Sequence, residues 1–163
     1  MLCHETMYQL ETKYYLIKHQ FSPSEGWEIT VDVDAMELAK GPQHKPDKKP
    51  KVEVAEKSLN ELGVSFGAHE KYGRVDVAAY HSRYRLYLIE VEGKSSKQKE
   101  QAMYSALGQA LLMMDKPLEN TYYGIAVPDE KAWERQVQKV PDRVKQILNL
   151  KCFLVGKNGV RDI

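Results

Sequence analysis

The chain has 163 residues, of which 42% are hydrophobic and 29% are charged, as is typical of one globular domain. This composition excludes a collagen, a disulfide-rich scaffold and a wholly disordered tail. Lys and Arg total 24 and Asp and Glu total 23, so the net charge is +1. A balance this close to zero leaves both nucleic acid and small ligands open as partners, because only the distribution of charge distinguishes them.

The two ends of the chain give expectations about location. Cys3 and Cys152 are expected to be reduced thiols of a cytoplasmic protein. The first residues show no basic segment followed by an apolar stretch, so we expect no signal peptide. The longest aliphatic run, residues 110–114, is too short to span a bilayer. We expect a single domain over residues 1–163.

The first third of the chain predicts a helix, a strand and a loop. Apolar residues at helical spacing predict a helix over residues 4–20, and the alternation in residues 27–33 predicts a half-buried strand. Residues 40–51 contain three prolines and five lysines, a composition that cannot bury apolar surface. We therefore expect an exposed, flexible, positively charged loop at about residues 39–51.

The rest of the chain alternates strands and helices. The pattern predicts a helix that stops at Gly63, a short strand at residues 64–66, and two strands, 73–80 and 85–92, joined by a tight turn. A helix over residues 97–114 and a strand over 121–127 follow. A helix capped by Asp129 and interrupted before Pro141, a strand at 152–155 and a turn at 157–159 complete the chain. This order predicts an α/β fold with a mixed sheet and helices on both faces.

Three acidic residues stand out on the two central strands. Glu90 and Glu92 are two apart, so they share a face of an otherwise apolar strand, where like charges and partial burial are both unfavourable. The tight turn places Asp76 of the preceding strand beside Glu90. Such an oxygen-rich site suits Mg²⁺ or Mn²⁺. The alternative is that all three lie on a solvent-facing side of the sheet, where acidic residues are common.

The segment after the acidic strand adds cations and a polar helix face. Lys94, Lys97 and Lys99 precede a helix N-terminus, where positive charge is electrostatically unfavourable unless an anionic ligand such as phosphate is near. The alternative is that these lysines are simply solvated. Within the helix, Gln109 sits among alanines and leucines, and Gly108 suggests the close approach of another group.

Together these motifs resemble the PD-(D/E)XK nuclease superfamily, in the order Gly73-Arg-Val-Asp76, then Ile89-Glu-Val-Glu-Gly-Lys94, then the helix with Gln101, Tyr104 and Gln109. The resemblance covers residues 51–127 and implies a restriction-endonuclease-like core of helix, three strands, helix and strand. It implies metal-binding roles for Asp76 and Glu90, and supporting roles for Glu56 as the helix acid and for Gln109. The position of the family's lysine is occupied by Glu92, and Val75 replaces the proline.

The resemblance implies a metal-dependent nuclease that hydrolyses phosphodiester bonds, most readily of DNA, with one or two Mg²⁺ or Mn²⁺ ions. Asp76, Glu90 and Glu92 would hold the metal, and Glu92 or Lys94 would orient a water molecule. Phosphates would contact Lys48 and Lys49 of the loop together with Lys94, Lys97 and Lys99. The ten tyrosines suit either base stacking or a homodimer interface.

Two other functions stay open at this point. One is a catalytically inactive nucleic-acid-binding or assembly module of the same fold. The other is a small-molecule hydrolase or structural protein whose acidic strand is merely exposed.

Overall fold

The computed structural model describes residues 6–38, 44–95, 97–114 and 120–163. Within them are the strands β1 (Glu28–Val31), β2 (Ser65–Phe66), β3 (Val77–Tyr80), β4 (Leu86–Val91), β5 (Thr121–Pro128), β6 (Leu150–Gly156) and β7 (Gly159–Asp162). The helices are α1 (Gln9–Gln20), α2 (Lys48–Leu62), α3 (Lys99–Leu112), α4 (Lys131–Val137) and α5 (Asp142–Leu148), with a 3-10 turn at Pro23–Glu25.

The strands form one mixed sheet in the order β2-β1-β3-β4-β5-β6-β7. Its centre is an antiparallel meander, β1-β3-β4, followed by two parallel pairings, β4 with β5 and β5 with β6. Helix α3 connects the first parallel pair, and α4 with α5 connects the second. The prediction of an α/β mixed sheet is therefore confirmed.

The helices lie on opposite faces of the sheet, and each face has its own hydrophobic cluster. Ile89 and Val91 of β4 pack in the cluster that contains the buried faces of α1 and α2. Leu88, from the same strand, packs in the other cluster with the alanines of α3 and with Trp133 of α4. This division follows from the period of two along a strand, which turns neighbouring residues to opposite faces. Helices flank both faces, as predicted.

Several element boundaries differ from the sequence prediction. The loop predicted at 39–51 ends earlier, because α2 begins at Lys48. Pro50 fits there, since the first turn of a helix needs no internal N–H donor. Residues 39–43 of that loop, and Cys3, lie outside the described residues. Strand β7 was not predicted. The prediction that Asp129 caps the helix after β5 was wrong: the residue before α4 is Glu130, and the Asp129 carboxylate pairs with Arg161 at 2.7 Å instead.

The strand order differs from the helix and three strands that the family resemblance implied for the start of the core. Strand β1 lies between β2 and β3, so the strand beside β3 comes from before the lysine-rich segment. The helix that precedes the β1-β3-β4 meander is therefore α1, and α2 and β2 are inserted after β1. None of the helices in the described residues is long and apolar enough to cross a membrane.

Candidate functional site

An acidic site lies at the edge of the sheet where β3 begins and β4 ends. The β3–β4 register pairs Val77 with Ile89, so the next positions outward are Asp76 and Glu90. On the other side, the backbone N–H of Asp32, just after β1, donates to the Asp76 carbonyl at 3.1 Å. The structure thus brings Asp76 and Glu90 together, and Glu92 lies two residues further along the chain.

The environment of Glu90 and Glu92 disfavours their ionised forms. Burial, followed by the charge of Asp76 and a hydrogen bond with it, raises the pKa of Glu90 to about 9. Burial, followed by the charge of Asp76, raises the pKa of Glu92 to about 7, although Lys97 partly opposes this. Glu90 is only 7% exposed, which excludes the alternative of a solvated acid for this residue. At neutral pH, Glu90 therefore holds a proton and donates a hydrogen bond to Asp76.

Both oxygens of Asp76 have partners. Its Oδ2 accepts a hydrogen bond from the backbone N–H of Val91 at 2.8 Å, which ties the start of β3 to the end of β4. Its Oδ1 lies 3.3 Å from Nζ of Lys13, on α1. The carboxylate is consequently held in one orientation at the edge of the sheet.

Lys13 is the main feature of the site that the sequence did not reveal. Its side chain is fully buried, and Nζ donates to the Asp32 carbonyl at 2.6 Å and to both oxygens of Glu37 at 2.7 and 2.9 Å. The only sequence signal is its position on the apolar face of α1, three residues after Leu10 and four before Ile17. Glu37, in the segment after β1, carried no signal of its own.

The Lys13 network balances charge within the interior. Burial lowers the pKa of Lys13, but Asp76 and Glu37 together outweigh this and raise it, so the ammonium stays charged. Burial raises the pKa of Glu37 to about 7 despite its contact with Lys13. One lysine thus faces four acidic groups, Glu37, Asp76, Glu90 and Glu92, which leaves the cluster short of positive charge.

The predicted phosphate-binding lysines are dispersed. The ammonium of Lys94 lies 5.2 Å from the ring centre of Tyr8, near the start of α1. Lys97 is exposed and influences Glu92, whereas Lys99 lies over the ring of Trp133 at 5.7 Å. Lys48 and Lys49 belong to the first turn of α2, contrary to the prediction of a loop, and only Lys48 turns toward Tyr8, at 5.8 Å.

The two supporting residues are not where the family resemblance implied. Glu56 lines a shallow depression formed by α2 residues alone, because the helix of the meander is α1 and not α2. Gln109 is exposed, because the alanines of α3 form its buried face. The predicted close approach at Gly108 is absent: a Cβ added there would meet no atom within 4 Å. The close approach occurs instead at Gly93, where a Cβ would lie 2.7 Å from Cα of Gln9.

The donor chemistry of the site suits a hard divalent cation, since Asp76, Glu90 and Glu92 offer only oxygen atoms. In the conformation described, however, no group of three or more His, Cys, Asp or Glu side chains in the described residues is arranged to hold a metal ion. The ammonium of Lys13 and the neutral, protonated form of Glu90 instead reduce the negative charge of the cluster. Metal binding at these residues would therefore require loss of that proton.

Comparisons of the chain with protein-family models, with curated proteins and with solved structures return no match.

Proposed function

We propose that this protein is a metal-dependent nuclease that hydrolyses the phosphodiester bonds of DNA. The observation that carries the proposal is the crowding of Asp76, Glu90 and Glu92 at one sheet edge, with raised pKa values for both glutamates. A cluster that folding alone would disfavour is typical of a site that binds a cation. The resemblance to PD-(D/E)XK nucleases in the same residues supports this reading.

In this proposal, Asp76 and Glu90 would hold one or two Mg²⁺ or Mn²⁺ ions. A bound ion lowers the pKa of a water molecule and neutralises charge on the phosphoryl group. Glu92 would either add a third carboxylate to the metal or orient the attacking water. Lys13 fixes the orientation of Asp76 through its 3.3 Å contact, and Lys94 and Lys97 contact substrate phosphates.

The first experiment tests metal-dependent cleavage. Supercoiled plasmid and linear DNA are incubated with the purified protein in MgCl₂, in MnCl₂ and in excess chelator. We expect cleavage only with metal, and loss of cleavage in Asp76→Asn. The matched control is Asp142→Asn, because the Asp142 side chain is 88% exposed and pairs only locally with Lys145. Cleavage that persists in chelator, or in Asp76→Asn, contradicts the proposal.

A second experiment separates the roles of Glu92 and Lys94. Because Glu92 stands where the family has its lysine, Glu92→Gln is expected to lose turnover by about 100-fold or more. Lys94→Ala is expected mainly to weaken substrate binding and to reduce its dependence on salt. If Lys94→Ala abolishes turnover at saturating substrate while Glu92→Gln is nearly silent, the two roles are reversed.

A second candidate function is a catalytically inactive nucleic-acid-binding module. One observation favours it: Lys13 already compensates Asp76 and Glu37, so Asp76 has a resident cation. DNA binding at low salt without cleavage, and without calorimetric binding of Mg²⁺ or Mn²⁺, would identify this function.

The proposed location is the cytoplasm. Burial raises the pKa of the Cys152 thiol to about 11, which keeps this cysteine protonated and unreactive.

A further inference from the structure

Helix α3 presents an uncharged outer surface. Residues 101–114 contain no Asp, Glu, Lys or Arg, and they form the longest such run in the chain. Because 29% of the chain is charged, a solvated segment of this length would carry about three or four charges. The alanines and Met103 of α3 account for only one side of the helix, the side that is buried. Depletion of charge on the remaining side is typical of a surface that another molecule covers.

An apolar groove of about 360 Å³ runs beside this surface, between α3 and the pair α4 and α5. Its walls include Leu107 and Leu111 of α3 and Val144 of α5. Apolar side chains continue outside the groove, where Leu112 is 81% and Ile147 is 69% exposed. Half of the large hydrophobic side chains that are exposed in the described residues lie on α3 and α5. Such residues are common singly, but a contiguous patch marks an interaction surface.

Gly108 supplies an independent indication that a second helix packs here. A glycine within a helix is unfavourable relative to alanine, and apart from the helix itself no described atom lies within 4 Å of a Cβ placed at this position. Tyr104 lies one turn before Gly108 and Leu112 one turn after it, so the three residues form one ridge. Both of these neighbours are exposed. A position without a side chain, between two exposed apolar ones, lets another backbone approach closely.

We propose that α3 is the interface of a homodimer, in which the α3 helices of two copies cross in antiparallel directions at Gly108. Tyr104 of each copy then packs beside Leu112 of the other, because both lie four residues from the crossing point. Packing of ridges with a spacing of four residues is the commonest class of helix crossing. The contact is isologous, since the same patch serves both copies. The inference is independent of the proposed nuclease activity.

The charge of the surface favours a second copy over other partners. The outer face of α3 offers no charged group to nucleic acid, to an anionic membrane or to a charged peptide. Two copies of this face, by contrast, meet without like-charge repulsion. The net charge of +1 also keeps the long-range repulsion between two whole chains small.

The size of the surface predicts a weak dimer. Helix α3 has 14 residues and is therefore about 21 Å long, and α5 beside it makes the face about 20 Å wide. Two such faces bury on the order of 1,000 Å² of accessible surface, which is the lower end of the range for specific interfaces. We therefore expect a reversible dimer with a dissociation constant on the order of 10 µM.

Sedimentation equilibrium of the full-length protein, from about 1 to about 300 µM, tests the inference. The mass should rise from that of one chain toward that of two. Leu112→Glu should weaken the dimer by about tenfold or more, because it places a carboxylate beside the Tyr104 ring of the other copy. Val54→Glu is the matched control. It makes the same change at an exposed apolar position of α2 and should associate as wild type does.

Gly108→Ala separates the dimer contact from the stability of the monomer. In dilute protein the added Cβ meets nothing within 4 Å, so alanine should stabilise the helix. In the dimer the same Cβ holds the two backbones apart at the crossing point, so association should weaken by about tenfold or more. A variant that is more stable and yet associates less has not lost its dimer through misfolding.

A complementary pair of variants tests the antiparallel arrangement. Leu112→Glu and Tyr104→Lys should each associate poorly alone. An equimolar mixture should form a heterodimer, because the new carboxylate of one copy lies beside the new ammonium of the other. The second contact of that heterodimer, between the unchanged Tyr104 and Leu112, is the native one.

Three results would overturn the inference. One is a wild-type protein that keeps the mass of one chain up to about 300 µM, which would leave the groove to a different apolar partner. Another is a Leu112→Glu variant that dimerises as tightly as wild type. The third is a mixture of Leu112→Glu and Tyr104→Lys that stays monomeric although circular dichroism shows both variants to be folded.

Discussion

Replacing Glu90 by Gln should stabilise the protein at alkaline pH. Glu90 is 7% exposed, lies opposite Asp76 and has a pKa of about 9. Glutamine has nearly the same shape, and its amide can donate to Asp76 as the protonated carboxyl group does. The substitution therefore removes the ionisation while retaining the packing and the hydrogen bond.

The magnitude follows from proton linkage. An unfolded glutamate loses its proton near 4.5, whereas folded Glu90 keeps it to about 9. Between these values the folded state binds more protons than the unfolded state, so the free energy of unfolding falls as the pH rises. One such group costs about 1.4 kcal/mol per pH unit at most. Because the surrounding acids relax as they titrate, we expect a loss of about 1–3 kcal/mol between pH 5.5 and 8.0.

Urea denaturation in chelator, followed by tryptophan fluorescence at pH 5.5 and 8.0, measures this effect. Between pH 5.5 and 8.0, wild type should lose about 1–3 kcal/mol of stability relative to Glu90→Gln, so the advantage of the variant should be that much larger at pH 8.0 than at pH 5.5. Glu37 and Glu92 contribute slopes of the same sign in both proteins, so the comparison isolates Glu90. Glu61→Gln, at an exposed position of α2, serves as the control. A variant less stable than wild type at pH 8.0 would refute the reasoning.

Three further predictions use the same denaturation assay or thermal melting. Lys13→Met should lose about 3–5 kcal/mol, because it leaves buried carboxylates without their cation; a loss below about 1 kcal/mol would contradict the network. Gly93→Ala should destabilise by about 1–3 kcal/mol or more, because its Cβ would overlap the backbone of Gln9, whereas Gly108→Ala should stabilise by about 0.5–1 kcal/mol; equal effects would be inconsistent with the packing. Saturating MgCl₂, at about 100 times its dissociation constant, should stabilise wild type by about 2.7 kcal/mol and leave Asp76→Asn unchanged; an equal shift in both would place the ion elsewhere.

The local sequence pattern was sufficient to predict most of the helices and strands, and to predict that Asp76 lies opposite Glu90. The tight turn between β3 and β4 fixes their register, so the position of Asp76 opposite Glu90 follows from counting along the two strands. The period of two likewise places Glu90 and Glu92 on one side. The alanines of α3 define a buried face by their spacing alone. In each case the residues concerned are close in the chain or are joined by a short connection.

Other features depended on contacts between distant parts of the chain. Lys13 bonds to Glu37, 24 residues away, and pairs with Asp76 across the junction of α1 with the sheet. The insertion of β1 between β2 and β3 made α1 the helix beside the site and left Glu56 of α2 outside it. Sequence periodicity shows which residues share a face of one element, but not which element packs against that face. Which elements pack together depends on how the whole chain buries its apolar surface. Here that packing brought Lys13 of α1 beside Glu37 and Asp76.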